Sequence, residues 1–219
     1  MACIKLKKLE EYLHSVDKFE KPKIKLEQYI TPPHIASCVL YNIQTLYGDI
    51  EGKYIGDLGC GSGMLSIGSF LLGAGMTTGF EIDDDALNVI NIFQSNVTDM
   101  ELPGIDCVLC DVLTLSNNEK WENAFDTIVT NPPFGTKKNC GIDMLFVQTG
   151  VFLASGAVYS FHKSSTRDYI HKKVKDWHVK GNVVAELKYN IDTSYSFHKS
   201  KSVDINVDFW RFDVSEKNL

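Results

Sequence analysis

Residues 131–134 read Asn-Pro-Pro-Phe and close the apolar run AFDTIVT (124–130). Proline offers no N–H to a sheet, so a strand must stop here. The fixed φ of Pro132 and Pro133, and the restriction that Pro132 places on Asn131, hold two oxygens still: the Asn131 side-chain carbonyl and the Pro132 backbone carbonyl. Two rigid acceptors can take both hydrogens of a planar amine and so set its direction. Phe134 adds a ring face for stacking a base, a contact worth roughly 1–3 kcal/mol. Taken alone, the same four residues also read as a plain Asn-Pro turn.

A second cluster lies upstream. DLGCGSG (57–63) follows the short apolar run KYIGDL (53–58), the place where open α/β sheets bind ligands. Gly59, Gly61 and Gly63 let the backbone turn tightly and approach a ligand. A dinucleotide fingerprint would need glycine at 64, where Met64 stands, and a Walker loop would need a lysine that is absent. The phosphate-cradle reading is the weaker one. The next two apolar runs end in Glu81 and Asp111. Glu81 can accept from ribose hydroxyls and Asp111 from an adenine amine. Acidic strand ends suit a cofactor with an adenosine and a positive sulfonium but no phosphate, which describes S-adenosylmethionine. For Asp84 and Asp85 the favoured reading is the first turn of the following helix, where the macrodipole suits acids.

The elements that must position these clusters alternate. KYIGDL (53–58), TTGFEID (77–83), IDCVLCD (105–111), AFDTIVTN (124–131) and GAVYSFH (156–162) read as strands, with helices over 64–75, 84–97, 143–155 and 165–179 between or after them. The last helix is expected to be capped by Ser165 or Thr166. Such alternation means right-handed crossovers and a mostly parallel sheet. The chain closes with NVVAELKY (182–189) and VDINVDFWRF (203–212), which lack a helix between them and should pair antiparallel across a loop at 190–202. The expectation is a doubly wound seven-stranded α/β sheet, mostly parallel, with one antiparallel strand near the C-terminal edge. Helices over 5–16 and 33–47 form an N-terminal extension. One domain covers 1–219, the extension taking 1–50 and the sheet core 51–219.

Composition sets the outer bounds. The chain has 219 residues, 44% hydrophobic and 23% charged, an ordinary globular balance. No stretch approaches the roughly 18 apolar residues of a membrane span. The first residues, MACIKLKKLEEYL, are basic and amphipathic without an apolar run, so no secretory signal is expected. An intracellular protein of nucleus or cytoplasm follows, with its six cysteines as thiols. Cys107 and Cys110 form a lone CxxC whose zinc reading lacks a second ligand pair. The net charge of −6 is uneven: residues 41–150 carry four lysines against fifteen acids, and residues 151–219 carry eleven basic residues against eight acids. That split fits a cationic ligand in the middle and a polyanion near the ends, and equally an ordinary solvated surface.

DLGCGSG, FEID, CDV and NPPF together resemble the class I S-adenosylmethionine-dependent methyltransferases, and NPPF narrows the resemblance to enzymes acting on a planar amino nitrogen. LEQYITPPHIA (26–36), YSFHKSSTRD (159–168) and FHKSKSVDINVD (197–208) extend it over nearly the whole chain, to the enzymes that methylate adenine N6 in small-subunit (18S) ribosomal RNA. The resemblance implies that Gln28 and Thr31 hold the methionine end of S-adenosylmethionine, that Asp57, Gly59 and the turn through Ser62 line it, that Glu81 takes the ribose, and that Asp111 with Val112 takes the adenine. It implies that Asn131, Pro132, Pro133 and Phe134 carry catalysis. Ser62 stands where the family pattern has cysteine, and Glu81 where it has aspartate.

An adenine inside a duplex cannot reach such a site, so the RNA is expected to be single-stranded or flipped out. Lys5, Lys7, Lys8, Lys21, Lys23, Lys163, Arg167, Lys199 and Lys201 are candidates to guide its backbone, while Lys172, Lys173 and Lys175 read at least as well as a solvated helix face. The run 105–111 should form a sheet edge and carries no Lys or Pro to discourage pairing. A partner chain is expected to add a strand there. The resemblance implies a heterodimer with a small zinc-binding activator subunit, which makes Cys107 and Cys110 interface or core residues. Guanine-N2 and cytosine-N4 targets are chemically open as well. Beside these stand a protein glutamine-N5 methyltransferase, for which Tyr is commoner in the place of Phe134, and a non-catalytic RNA-binding scaffold.

Overall fold

The computed structural model describes residues 4–17, 23, 26–83, 86–135, 139–192 and 202–217. One sheet contains β1 (Tyr54–Leu58), β2 (Met76–Glu81), β3 (Ile105–Leu109), β4 (Phe125–Thr130), β5 (Ala154–Lys163), β6 (Lys180–Asp192) and β7 (Ser202–Asp213). Around it lie α1 (Leu6–His14), α2 (Pro33–Asn42), α3 (Met64–Leu71), α4 (Ala86–Asp99), α5 (Ile142–Leu153) and α6 (Arg167–Asp176). Strand order is β3-β2-β1-β4-β5-β7-β6. The first five strands pair in parallel, and β7 runs antiparallel to both β5 and β6. The doubly wound sheet with one antiparallel strand near its C-terminal edge is the architecture that the alternating pattern predicts. The chain winds outward from β1 to β3, then crosses back to β4 on the other side of β1. Strand order reverses between β1 and β4, which opens a crevice at their carboxyl ends.

Apolar residues sort onto two faces by the period of two that a strand imposes. Tyr159, Phe161 and Phe209 face one core with Leu9, Leu13, Leu40 and Ile67 of α1, α2 and α3. Val158, Trp210 and Phe212 face the other with Met144 and Val147 of α5 and Ile170 and Val174 of α6. The helical extension is thus part of the first core. Its α2 opens on Pro33, whose fixed φ suits the first helical turn. A wider turn, Ile43–Tyr47, continues α2 and ends at Gly48 with φ +66°.

Among the boundaries that differ from the sequence expectation, two have a plain physical reason. The closing hairpin is longer than expected, pairing out to Asp192 opposite Ser202. Most of the extra residues are polar, Ile191 excepted, but an antiparallel ladder is stabilised by backbone bonds and continues without an apolar face. At the start of α6 a 3-10 turn, Ser164–Thr166, comes first. Thr166 stands at the cap position, but its hydroxyl donates to the Lys163 carbonyl (2.7 Å) and makes no cap bond to the helix. Asp84, Asp85, Lys21, Lys199 and Lys201 lie outside the described residues, as does the stretch 197–201 that opens FHKSKSVDINVD.

Gly79, in the middle of β2, sits where the glycine turn after β1 folds over the sheet. A Cβ there would stand 2.6 Å from Cys60 Sγ and 2.8 Å from Cys60 Cβ. Through that gap Cys60 Sγ comes to 3.8 Å from Cys107 Sγ on β3. Gly79→Ala is expected to lower stability by about 1–3 kcal/mol through overpacking. Urea unfolding measures it, and an unchanged midpoint would show that the turn yields without cost.

Candidate active site

A cavity of about 260 Å³ lies in the crevice at the strand ends and is walled by the segment Leu26–Thr31, the turn after β1, the ends of β2 and β4, and the start of α5. Asp57, Gly59, Ser62, Glu81, Asp111, Val112, Gln28, Thr31, Asn131 and Pro133 all line it. Sequence positions spread over more than a hundred residues therefore meet at one place. Pro132 and Phe134 do not line it. Pro132 is buried beneath the wall. Phe134 packs beside it, with the Tyr29 ring 6.4 Å away at 24° and the Tyr189 ring edge-on at 6.3 Å. The expected free stacking face of Phe134 is thus partly covered by aromatic neighbours.

The turn is built by three glycines with positive φ: Gly59 at +72°, Gly61 at +54° and Gly63 at +90°. The N–H groups of Gly59 and Cys60 both donate to the Phe80 carbonyl, at 2.9 and 3.0 Å. Glu81 completes the anchorage. Its Oε2 accepts from the Gly61 N–H at 3.0 Å, and its Oε1 accepts from the Ile82 and Asp83 N–H groups at 3.1 Å each. A carboxylate has about four acceptor sites, so Glu81 is committed mainly to holding the turn. That structural task was not read from its place at a strand end. Burial nevertheless raises its pKa, the three N–H bonds opposing the rise.

Asp57 is buried at the head of the turn. Its Oδ2 accepts from the Ser66 hydroxyl at 2.7 Å, while Oδ1 is buried without a partner. An orphaned carboxylate oxygen in a cavity wall suits a ligand that brings a cation or a donor. Asp111 Oδ1 caps the turn Val112–Asn117 through the Leu113 N–H at 2.9 Å, and the residue still reaches the cavity. Gln28 is fixed from both ends: its Oε1 accepts from the Lys23 N–H and its Nε2 donates to Asp83 Oδ2, each at 2.7 Å.

Asn131 stands just past the end of β4. Its Nδ2 donates to Thr31 Oγ1 at 3.0 Å and reaches the Tyr189 hydroxyl at 3.5 Å. Sequence reasoning missed Tyr189, Tyr29, Phe146, Ile142, Asn139 and Ser66. Tyr29 falls inside the quoted LEQYITPPHIA, and its ring could have been read there. Tyr189 had no local signal, being an alternate residue of a strand like any other.

Two of the basic candidates change role. The Lys23 ammonium is paired with Asp83. Arg167 donates from Nε and Nη2 to the two oxygens of buried Asp208, each at 2.7 Å, and meets Glu186 at 3.1 Å. Their charges are already paired within the fold: Lys23 with Asp83, and Arg167 at the start of α6 with Asp208 of β7 and Glu186 of β6. Lys5, Lys7 and Lys8 on the extension are exposed.

The strand order, the antiparallel seventh strand and a glycine turn beside acidic strand ends define a class I methyltransferase. Residues 35–161 match the family model described as the methyltransferase small domain. The rRNA N6-adenosine-methyltransferase Mettl5 of Drosophila melanogaster is 61% identical over 98% of this chain and 99% of its own length. METTL5 of Danio rerio, of the same description, is 56% identical over 95% and 99%. The solved structure of PH1948 from Pyrococcus horikoshii superposes with a TM-score of 0.79 at 32% identity, covering 96% of this chain and 98% of that one. The chain belongs to the family of rRNA N6-adenosine-methyltransferases that these relatives represent, and it is an enzyme of the methyltransferase class.

Burial pushes the Asp57 carboxyl up to about 7, against the Ser66 hydroxyl that favours the ionised form. In the unfolded chain Asp57 ionises near 3.8, so between these values the folded chain keeps a proton that the unfolded chain has lost. Stability of the ligand-free protein should therefore fall as pH rises through this window, by up to about 1.4 kcal/mol per pH unit from this group. Asp57→Asn should flatten that slope in thermal melts between pH 5 and 8. An unchanged slope would show that Asp57 titrates normally.

Proposed function

We propose that this chain transfers a methyl group from S-adenosylmethionine to the N6 amine of an adenine in small-subunit (18S) ribosomal RNA. The observation that carries the reading is the shared wall: Asn131 and Pro133 line the same cavity as Asp57, the glycine turn, Glu81 and Asp111. A nucleoside cofactor and a planar amine can therefore meet within one opening.

S-adenosylmethionine supplies an electrophilic methyl group on a sulfonium. Asp57, with its unpartnered Oδ1, and Ser62 stand where that positive end would lie. Gln28 and Thr31 would hold the amino-acid end, the remaining acceptor capacity of Glu81 the ribose, and Asp111 with Val112 the adenine. On the other side the task is positioning, because the amine's lone pair is delocalised into its ring. Asn131 Oδ1, on the cavity wall, and the Pro132 carbonyl, in the peptide that leads to the wall residue Pro133, would accept the amine's two hydrogens and turn the nitrogen toward the methyl. The same bonds favour pyramidal nitrogen as its new bond forms, so they strengthen in the transition state. No strong base is needed, since the proton leaves an acidic methylated product. Phe134, steadied by Tyr29 and Tyr189, offers what remains of its ring to the base.

Asn131→Ala should abolish methyl transfer while cofactor binding by calorimetry stays within about twofold. The measurement is label transfer to total RNA and total protein, followed by nucleoside mass spectrometry. Unchanged activity would discard the mechanism, and label in protein in place of N6-methyladenosine would move the reading to a glutamine-N5 enzyme.

The partner proposal rests on β3. It is an edge strand, and Val108 and Leu109 are 37% and 47% exposed along it. An edge with apolar side chains and no Lys or Pro invites strand addition, and a small zinc-binding activator subunit is the occupant proposed. Leu109→Lys should then abolish co-purification with the activator, and the chain expressed alone should aggregate. A soluble, fully active monomer would remove the need for a partner.

A further inference from the structure

Asn131 can orient an amine only if its amide is itself oriented, and nothing on its own strand does that. An asparagine side chain has an acceptor end and a donor end of nearly equal shape. Turned the wrong way, it would present N–H groups to an amine that needs an acceptor. In the structure both donor contacts of Asn131 go to other segments of the chain: to Thr31 Oγ1 at 3.0 Å and to the Tyr189 hydroxyl at 3.5 Å. With Nδ2 occupied, Oδ1 is the end of the amide left to accept from a substrate in the cavity that Asn131 lines.

We propose that Tyr189 and Thr31 are positioning residues that set the Asn131 amide with its oxygen toward the substrate, so that the β6–β7 hairpin controls the geometry of methyl transfer. This rests on the reading of Asn131 as the acceptor for the target amine. Three observations besides the two bonds support it. Tyr189 is 2% exposed, so its hydroxyl has little water to turn to. Its ring is wedged edge-on against both Phe134 (6.3 Å, 80°) and Phe161 (5.9 Å, 69°), which fixes where the hydroxyl points. Burial also raises the phenol's pKa further above its usual value, so the hydroxyl stays protonated. The longer of the two bonds is of the kind that shortens when the acceptor end of the amide is engaged. Tyr189 thereby touches the motif at both ends, Asn131 by its hydroxyl and Phe134 by its ring. It belongs to β6, opposite Ile205 of β7, and so links the hairpin to the reacting site.

The test uses the full chain with any partner it requires, and an RNA substrate whose methylation the wild-type protein supports. Tyr189→Phe removes the hydroxyl and keeps the ring. It should lower kcat about tenfold, as loss of an outer supporting bond does, with KM for RNA, cofactor affinity and Tm close to wild type. Thr31→Val should also lower kcat, together with cofactor affinity because Thr31 lines the cavity as well, while Thr31→Ser, which keeps the hydroxyl, should restore both. Unchanged kcat in Tyr189→Phe, alongside an inactive Asn131→Ala, overturns this inference and leaves the role of Asn131 standing. In Tyr189→Phe, a loss confined to cofactor affinity or to Tm also overturns it. Unchanged kcat in Asn131→Ala overturns both.

Discussion

Glu81 gathers three backbone N–H groups, one from the glycine turn and two from the turn that follows β2, and the position of the cavity wall depends on that gathering. Parallel strands end with backbone groups that no ladder satisfies. Here the Phe80 carbonyl and the Glu81 carboxylate satisfy them and draw the turn after β1 over β2. Gly79 makes the crossing possible by leaving no side chain in the way. The carboxylate is buried and its pKa is raised, yet each bond to it favours the charged form. One side chain therefore sets the height and curvature of the turn on which a nucleoside would rest.

The other wall depends on the N-terminal segment. Gln28 is held by Lys23 and Asp83, and Thr31 by Asn131, so residues that precede the sheet in sequence close the cavity over it. The helices on either side of this segment are not an appendage: α1 and α2 contribute to the same core as β5 and β7. Charge follows the same economy. Lys23 is paired with Asp83 beside the cavity and Arg167 ties the start of α6 to Asp208 of β7, and the cavity itself keeps an excess of carboxylates. An acidic, partly desolvated pocket with an unpartnered Asp57 oxygen favours a ligand carrying positive charge.

Much of this was legible in the residues. Alternating apolar runs and helical spacings were sufficient for the doubly wound sheet, because each pattern is local and has its own period. The absence of a helix between the last two strands was sufficient for the antiparallel end. The glycine turn, Glu81, Asp111 and Asn131 were readable because they sit at strand ends, where side chains are freed from the ladder. Hairpin length was less legible, since polar residues such as Asn190 and Asp192 extend a ladder without an apolar signature. The expected open face of Phe134 was wrong in part, for its cover comes from Tyr29 and Tyr189 on two other segments.

The sequence by itself determined which functional groups exist and at which strand ends they stand, since strand, turn and helix follow from patterns a few residues long. Only the tertiary structure decided how those groups are aimed. Thr31 lies 100 residues before Asn131 and Tyr189 lies 58 after it, and no local pattern links them. Their meeting follows from the reversal of strand order at β1 and β4 and from the antiparallel insertion of β7. A side-chain amide is aimed by whatever packs around it, and packing is a property of the closed fold.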